Sequence, residues 1–190
     1  MPITNTKSNQ VQILSMLKLN IRPVQPTERD LTTLQAIATE SFVATFSPYN
    51  TLQSVVDYTS NNYNLSKLQA EVEAPTSRTF FLEGNGQPIG YLKLNWGPTQ
   101  TESNFPAAME IQRIYLLPRY WGEHLGNYLM EYALEYAKEH GFKQAWLGVW
   151  QKNQRAQGFY HRYGFKQAGT HEFYMGDHYQ CDDLLLKEIQ

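Results

Sequence analysis

The spacing of apolar residues changes near residue 79, from a helical repeat to the alternation typical of strands. Before this point, the pattern predicts one short strand at 18–24 and then three helices. The first helix begins after Thr27 and ends near Phe46, and the other two lie at 51–60 and 66–73. The first part of the chain is therefore predicted to be mainly helical.

The second part of the chain alternates strands with two longer helices. Strands at 79–83 and 89–96 form a hairpin around Gly84-Asn85-Gly86, and a polar loop at 99–107 leads to a strand at 109–117. Next come a turn and long helix at 120–140, a strand at 145–150, a helix at 153–164, and strands at 165–175 and 179–187 that turn at Gly176-Asp177. The mixture predicts an α/β (α+β) fold with one central sheet.

Length and composition favour one intracellular domain. The 190 residues suit a tail at 1–17 and a single domain at 18–190, and 42% of residues are hydrophobic. A net charge of −2 without basic clusters argues against a nucleic-acid partner. The only cysteine, Cys181, is expected to be a small core residue in a reducing compartment, the cytoplasm. We expect no membrane span, because the N-terminal segment is too short and polar.

The segment at 109–126 carries the first candidate site. A strand ends at Pro118, a turn containing Gly122 follows, and a helix then begins. Backbone N–H groups at such a junction point together and favour an anion. An ordinary strand-to-helix connection explains this segment alone equally well.

A second motif follows the strand at 145–150. It has Asn153 at the helix start, Ala156, the pair Phe159-Tyr160, and Gly164-Phe165 after the helix. Together the two motifs resemble the GCN-type N-acetyltransferase (GNAT) superfamily over residues 18–188. This resemblance implies a mixed sheet of about six to seven strands, splayed in the middle and flanked by helices on both faces. It also implies that acetyl-CoA enters between the strands at 109–117 and 145–150.

The resemblance assigns cofactor contacts residue by residue. The pantetheine amides are expected along the backbone of Ile114, Tyr115 and Leu116, like an added strand. The pyrophosphate is expected on the backbone amides of Trp121, Gly122, Glu123, His124, Leu125, Gly126 and Asn127. Asn153 would bond pantetheine or the adjoining strand, or cap its helix. Arg155 would touch the phosphates, or be a surface charge.

One position in the turn departs from the family pattern. The family's turn runs Gln or Arg, two residues, Gly, one residue, then Gly or Ala, whereas this chain has Trp121, His124 and Gly126. Glycine at the middle position lets backbone approach phosphate closely. His124 either points to solvent or adds a side chain beside the phosphates, so the departure bears on cofactor affinity.

Two residues are candidates for proton transfer. Tyr160 matches the family's general acid beside the CoA sulfur, and its alternative role is aromatic packing, which we expect for Phe159. Glu110 matches a catalytic glutamate of several members, and its alternative is a solvated charge at a strand start. The N–H of Tyr115 or Leu116 would polarise the acetyl carbonyl. The five histidines lack metal-ligand spacing, so no metal is expected.

A narrower resemblance, to bacterial spermidine/spermine N-acetyltransferases of the PaiA type, lies at 112–117, 146–153 and 173–177. It implies a polyamine acceptor, which aromatic faces and carboxylates would bind. The available side chains are Glu40, Asp57, Tyr58, Glu102 and Asp177. The alternatives are a protein N-terminal or lysine acetyltransferase and a CoA-binding sensor without turnover, and a homodimer is the default assembly.

Overall fold

The computed structural model describes residues 17–175 and 178–190, which form one seven-stranded sheet and five α-helices. The strands are β1 Leu19–Pro23, β2 Ser77–Gly84, β3 Gln87–Asn95, β4 Met109–Leu116, β5 Gln144–Trp150, β6 Lys166–Met175 and β7 His178–Glu188. The helices are α1 Glu28–Phe46, α2 Leu52–Asn62, α3 Leu65–Glu73, α4 Leu125–Glu139 and α5 Gln154–Arg162. Short 3₁₀ turns lie at Gly97–Thr99 and Pro118–Tyr120.

The strand order is β1-β2-β3-β4-β5-β7-β6, and all neighbours are antiparallel except β4 and β5. These two parallel strands pair only at Met109 with Ala145 and at Glu110 with Trp146. Beyond Glu110 they separate, although each continues for several residues. The predicted splayed sheet is therefore present, and we call the opening between β4 and β5 the split.

The helices cover both faces of the sheet, and each face has its own apolar core. Helices α1 to α3 pack on one face through residues such as Leu34, Phe42 and Leu68. Helices α4 and α5 pack on the other face through residues such as Leu129 and Tyr160. The split is thus bordered by helices on both sides.

Local sequence signals explain the element ends. Asn85 and Gly86 connect β2 to β3, and both have positive φ (52° and 76°), as a two-residue hairpin turn requires. The side chains of Thr27, Thr51 and Asn64 accept hydrogen bonds at the starts of α1, α2 and α3. The predicted elements are confirmed within about two residues at their ends.

Two sequence predictions fall outside the described residues: the tail at 1–17, of which only residue 17 is described, and the turn at Gly176-Asp177. Within the described ranges, no helix is long and apolar enough to cross a membrane.

Candidate active site

The edge of β4 that faces the split offers a row of unpaired peptide groups. The N–H of Leu117 donates to the carbonyl of Ile89 at 2.9 Å, which sets the alternation of hydrogen bonds between β4 and β3. By this alternation Tyr115 bonds to β3, whereas Ile114 and Leu116 direct their peptide groups toward the split. An extended ligand in the split would therefore meet Ile114 and Leu116, with Tyr115 turned away.

The turn before α4 gathers backbone donors at the mouth of the split. Within the described chain, no N–H group of residues 122–126 makes a backbone hydrogen bond. The N–H groups on either side of this segment do make backbone hydrogen bonds. Trp121 donates to the Pro118 carbonyl at 3.1 Å, and Asn127 donates to the His124 carbonyl at 2.9 Å. Successive free N–H groups at a helix N-terminus are a donor set of the kind that binds anions.

The backbone of this turn takes left-handed conformations at two positions. Gly122 has φ 89° and His124 has φ 59°. His124 is the N-cap of α4, but its exposed side chain makes no capping hydrogen bond. A left-handed non-glycine residue costs about 1 kcal/mol, which explains why glycine suits this position. His124, where the chain departs from the family's turn pattern, therefore also has a strained backbone conformation.

Trp121 reaches back across the mouth of the split. Its indole Nε1 donates to the carbonyl of Leu116 at 2.9 Å, although 37% of the residue remains exposed. The guanidinium of Arg155, on α5, lies 5.6 Å from the Trp121 ring. The sequence motif gave no signal of this contact, which occupies one acceptor on the open edge of β4. An amide of a bound cofactor would compete with the indole for it.

The start of α5 is fixed by Asn153. Its Oδ1 accepts a hydrogen bond from the Ala156 N–H at 3.1 Å, so the capping alternative is confirmed. The amide nitrogen of Asn153 makes no hydrogen bond to any described residue, and it stays available to a ligand. Arg155 is exposed, as the surface-charge alternative expects, but it lies against the turn before α4.

Phe159 and Tyr160 are adjacent on α5 but have different surroundings. Phe159 packs against the backbone of Gly126, where an added Cβ would lie 3.6 Å from the ring. Tyr160 is buried except for 9% of its surface, and no hydrogen bond from a described residue contributes to the environment of its hydroxyl. Burial raises the pKa of Tyr160 above its ordinary value. Tyr160 therefore remains a neutral proton donor at physiological pH.

Glu110 stands where the split closes. It is 2% exposed, so the alternative of a solvated charge is wrong. Its carboxylate accepts hydrogen bonds from Asn95 Nδ2 at 2.9 Å, from the Thr101 N–H at 3.0 Å, and from the Thr101 hydroxyl. Burial raises the pKa of Glu110, although these hydrogen bonds oppose the rise. The contacts attach the loop at 97–107 to β4.

The side chains suggested for a polyamine do not form one group. Tyr58 stacks on Phe42 at 4.2 Å near the split, and Glu102 pairs with His171 at 2.6 Å. Glu40 instead lines a groove with Arg29 and Arg119, and Asp57 is exposed on α2. Glu40 and Asp57 are therefore not shown to join Tyr58 and Glu102 in one site, and Asp177 lies outside the described residues.

Two further features bear on the chemistry available here. In the part of the chain that the structure describes, no group of three or more His, Cys, Asp or Glu residues could hold a metal ion. Cys181 is half-buried in β7, on the far side of β5 from β4. The site consists of backbone donors, a buried tyrosine and the open edge of β4.

Comparison with known proteins gives a consistent result. The model of the Acetyltransferase (GNAT) family matches residues 36–165. An uncharacterized N-acetyltransferase in the pepI 3′ region of Lactobacillus delbrueckii subsp. lactis is 36% identical over 169 residues, which cover 89% of this chain and 98% of that protein. An uncharacterized N-acetyltransferase of Mycobacterium tuberculosis is 30% identical over 160 residues, covering 84% and 98%.

Solved structures share the fold at lower identity. The PaiA N-acetyltransferase of Thermoplasma acidophilum, solved in complex with coenzyme A, superposes with a TM-score of 0.74 at 22% identity, over 90% of this chain and 99% of that one. The ribosomal-protein-S18-alanine N-acetyltransferase of Escherichia coli gives a TM-score of 0.63 at 18% identity, over 90% and 94%.

Proposed function

This chain belongs to the acetyltransferase (GNAT) family, and from that premise we propose that it transfers acetyl from acetyl-CoA to a primary amine of a small molecule. The observation that carries the proposal is the split between β4 and β5, which pair at only two positions. We also propose that donor and acceptor react directly in a ternary complex. The cytoplasm is the proposed location, since the chain has a single cysteine.

The donor site is proposed along β4 and the turn before α4. Pantetheine would extend the sheet by pairing with Ile114 and Leu116, whose peptide groups face the split. The pyrophosphate would accept hydrogen bonds from the N–H groups of residues 122–126. The exposed cations Arg119 and Arg155 lie beside this turn and would favour an anionic ligand.

Tyr160 is proposed as the acid that protonates the departing sulfur. No hydrogen bond from a described residue contributes to the environment of its hydroxyl, and its raised pKa keeps it protonated. The pKa of Tyr115 is raised chiefly by burial, and Tyr160 adds to the rise. Tyr160 therefore lies close enough to interact with Tyr115, although the two side chains pack on opposite faces of the sheet. This position suits a donor at the split.

The acceptor must lose a proton before it attacks. An alkyl ammonium has a pKa of about 10.4, so deprotonation near pH 7.4 costs about 4 kcal/mol. Glu110 was the sequence candidate for this base, but its oxygens already accept three hydrogen bonds from Asn95 and Thr101. This occupancy supports Glu110 as the anchor of the loop at 97–107 more directly than as the base.

The acceptor class is proposed from the surroundings of the split and from the PaiA-type resemblance. Aromatic rings meet at the end of β5, where Trp150 lies 5.6 Å from Phe46 and 5.0 Å from Tyr49. Such faces favour an organic cation. A polyamine fits this preference, and a protein N-terminus or lysine is the alternative acceptor.

A thiol-release assay tests the proposal. Purified protein and acetyl-CoA would be incubated with a panel of polyamines, monoamines, amino acids and peptides, and free thiol would be measured. Acetyl-CoA without acceptor is the control for hydrolysis. Release with small amines supports the proposal, release with peptides alone favours a protein acetyltransferase, and no release favours a sensor without turnover.

A further inference from the structure

Asp182, on β7, is a carboxylate that the fold leaves incompletely bonded. Its Oδ1 is buried and has no hydrogen-bond partner among the described residues. Buried carboxylate oxygens are ordinarily paired or hydrogen-bonded, because desolvation without a partner is unfavourable. This atom therefore needs an explanation that the donor site does not provide.

Asp182 faces the same side of the sheet as the aromatic rings at the end of β5. In the register of the sheet it lies opposite Trp150 on one side and His171 on the other. Its Oδ2 lies 3.6 Å from the place where a Cβ at Gly148 would be. Gly148 is exposed, so its missing side chain leaves Oδ2 approachable from solvent across β5, the strand that borders the split.

The walls around Asp182 are aromatic on the side of α1 and α2. Trp150 contacts Phe46 and Tyr49, which extend from the end of α1. The pKa of Tyr58 on α2 is raised, chiefly by burial, and the negative charge of Asp182 adds to the rise. Tyr58 is therefore close enough to interact with the carboxylate. A carboxylate beside aromatic faces is a chemistry that binds alkyl ammonium groups.

Among the described residues, no cation forms an ion pair with Asp182. His171 on β6 lies beside it, but the imidazole Nδ1 is 2.6 Å from Glu102, on the loop at 97–107. Lys152, after β5, lies 5.7 Å from the Trp150 ring. Asp183 is held by Gln151 at 2.8 Å and Gln167 at 3.0 Å. Burial raises the pKa of Asp182 to about 6, although His171 lowers it and Asp183 raises it further.

We propose, on the basis of the amine transfer proposed above, that Asp182 binds the ammonium group of the acceptor and takes its proton. The carboxylate accepts one proton from the ammonium, and the amine nitrogen then attacks the thioester carbon. As the carbon–sulfur bond breaks, Tyr160 gives its proton to the sulfur. The nitrogen then loses its second proton, which returns to Tyr160. The products are an N-acetylamine, CoA thiol and one proton, which Asp182 releases to solvent.

The absence of a hydrogen bond to Oδ1 distinguishes Asp182 from Glu110. Glu110 receives three hydrogen bonds within the described chain, whereas Asp182 Oδ1 receives none. A proton acceptor whose pKa lies just below the working pH is also suited to general-base catalysis. The specificity that follows is for cationic primary amines with an apolar chain that can lie on the rings of Trp150 and Tyr49.

The Asp182→Asn variant tests the proposal, with Asp183→Asn as its matched control. Both remove one negative charge from β7, but Asp183 is held by glutamine side chains away from this subsite. We expect Asp182→Asn to lower kcat/KM for the amine at least about tenfold while leaving acetyl-CoA affinity unchanged. The acidic limb of the pH profile, with an apparent pKa of about 6 in the wild type, should disappear. Rates within twofold of the control would overturn the proposal.

A direct binding experiment separates this proposal from the proposed function. If the wild type turns over no amine, the transferase proposal fails, and n-butylammonium is titrated into the protein by calorimetry. Binding by the wild type and Asp183→Asn that is lost in Asp182→Asn would support the subsite. Equal binding by Asp182→Asn, or no binding by the wild type, would overturn it.

Discussion

Replacing Tyr160 with phenylalanine removes one oxygen atom from the proposed donor of the leaving-group proton. No hydrogen bond from a described residue contributes to the environment of the hydroxyl, and the ring stays packed beside Phe165 and Phe159. Because no partner is left unsatisfied, we expect the free energy of unfolding to change by less than about 1 kcal/mol. Any larger loss of activity would then come from the chemistry.

The size of the catalytic effect follows from the two pKa values. Burial raises the pKa of Tyr160 above its usual value near 10, whereas the leaving thiol has a pKa of about 8.5. Proton transfer to the thiolate is therefore uphill, and its contribution falls at the low end for general acids. We expect kcat to decrease by about tenfold to a hundredfold.

Thiol release with saturating acetyl-CoA measures this effect, and calorimetry measures CoA affinity. Tyr163→Phe is the matched control, because its hydroxyl bonds Glu131 at 3.3 Å, on the surface. Since the pKa of Tyr160 is raised, the wild type should show no alkaline loss of activity from this group below about pH 10. A Tyr160→Phe rate equal to that of the control would remove Tyr160 from the mechanism.

Three further variants examine the turn and the loop. His124→Gly relieves a left-handed φ of 59°; we expect a gain in stability of up to about 1 kcal/mol and CoA binding that is equal or tighter, and a large loss of affinity would show that the imidazole contacts the cofactor. Trp121→Phe removes the indole donor to Leu116, so acetyl-CoA should bind up to about tenfold more tightly by calorimetry; weaker binding would contradict the competition. Glu110→Ala should lower the free energy of unfolding by about 1–3 kcal/mol, whereas Glu110→Gln should keep both fold and rate. A tenfold rate loss in Glu110→Gln at unchanged stability would support a base instead of a loop anchor.

The strand-to-helix junctions of this fold could be predicted because their signals are local. Pro118, Gly122 and Asn153 each mark a turn or a cap within a few residues of the element that they begin or end. The family resemblance then supplied the split, which no local pattern encodes. Pairing between β4 and β5 depends on how two distant strands diverge.

Polar contacts between residues distant in sequence could not be predicted from the sequence. Glu110 lies near the start of β4 and was open to interpretation as a solvated charge, yet it is buried and bonded to Thr101 and Asn95. The Trp121 indole folds back on Leu116, which only the path of the turn determines. Asp182 and Asp183 are adjacent in a strand, so their side chains face opposite sides of the sheet. That alternation was an available signal for an inward carboxylate.

Backbone amide chemical shifts during titration with acetyl-CoA test the donor site most directly. A cofactor in the split would shift the amides of Ile114 and Leu116 and those of residues 122–126, while Tyr115, bonded to β3, would change less. Saturable shifts concentrated at those amides are the predicted result. Shifts confined to other parts of the sheet, or no saturable change at millimolar acetyl-CoA, would contradict the placement of the acyl donor between β4 and β5.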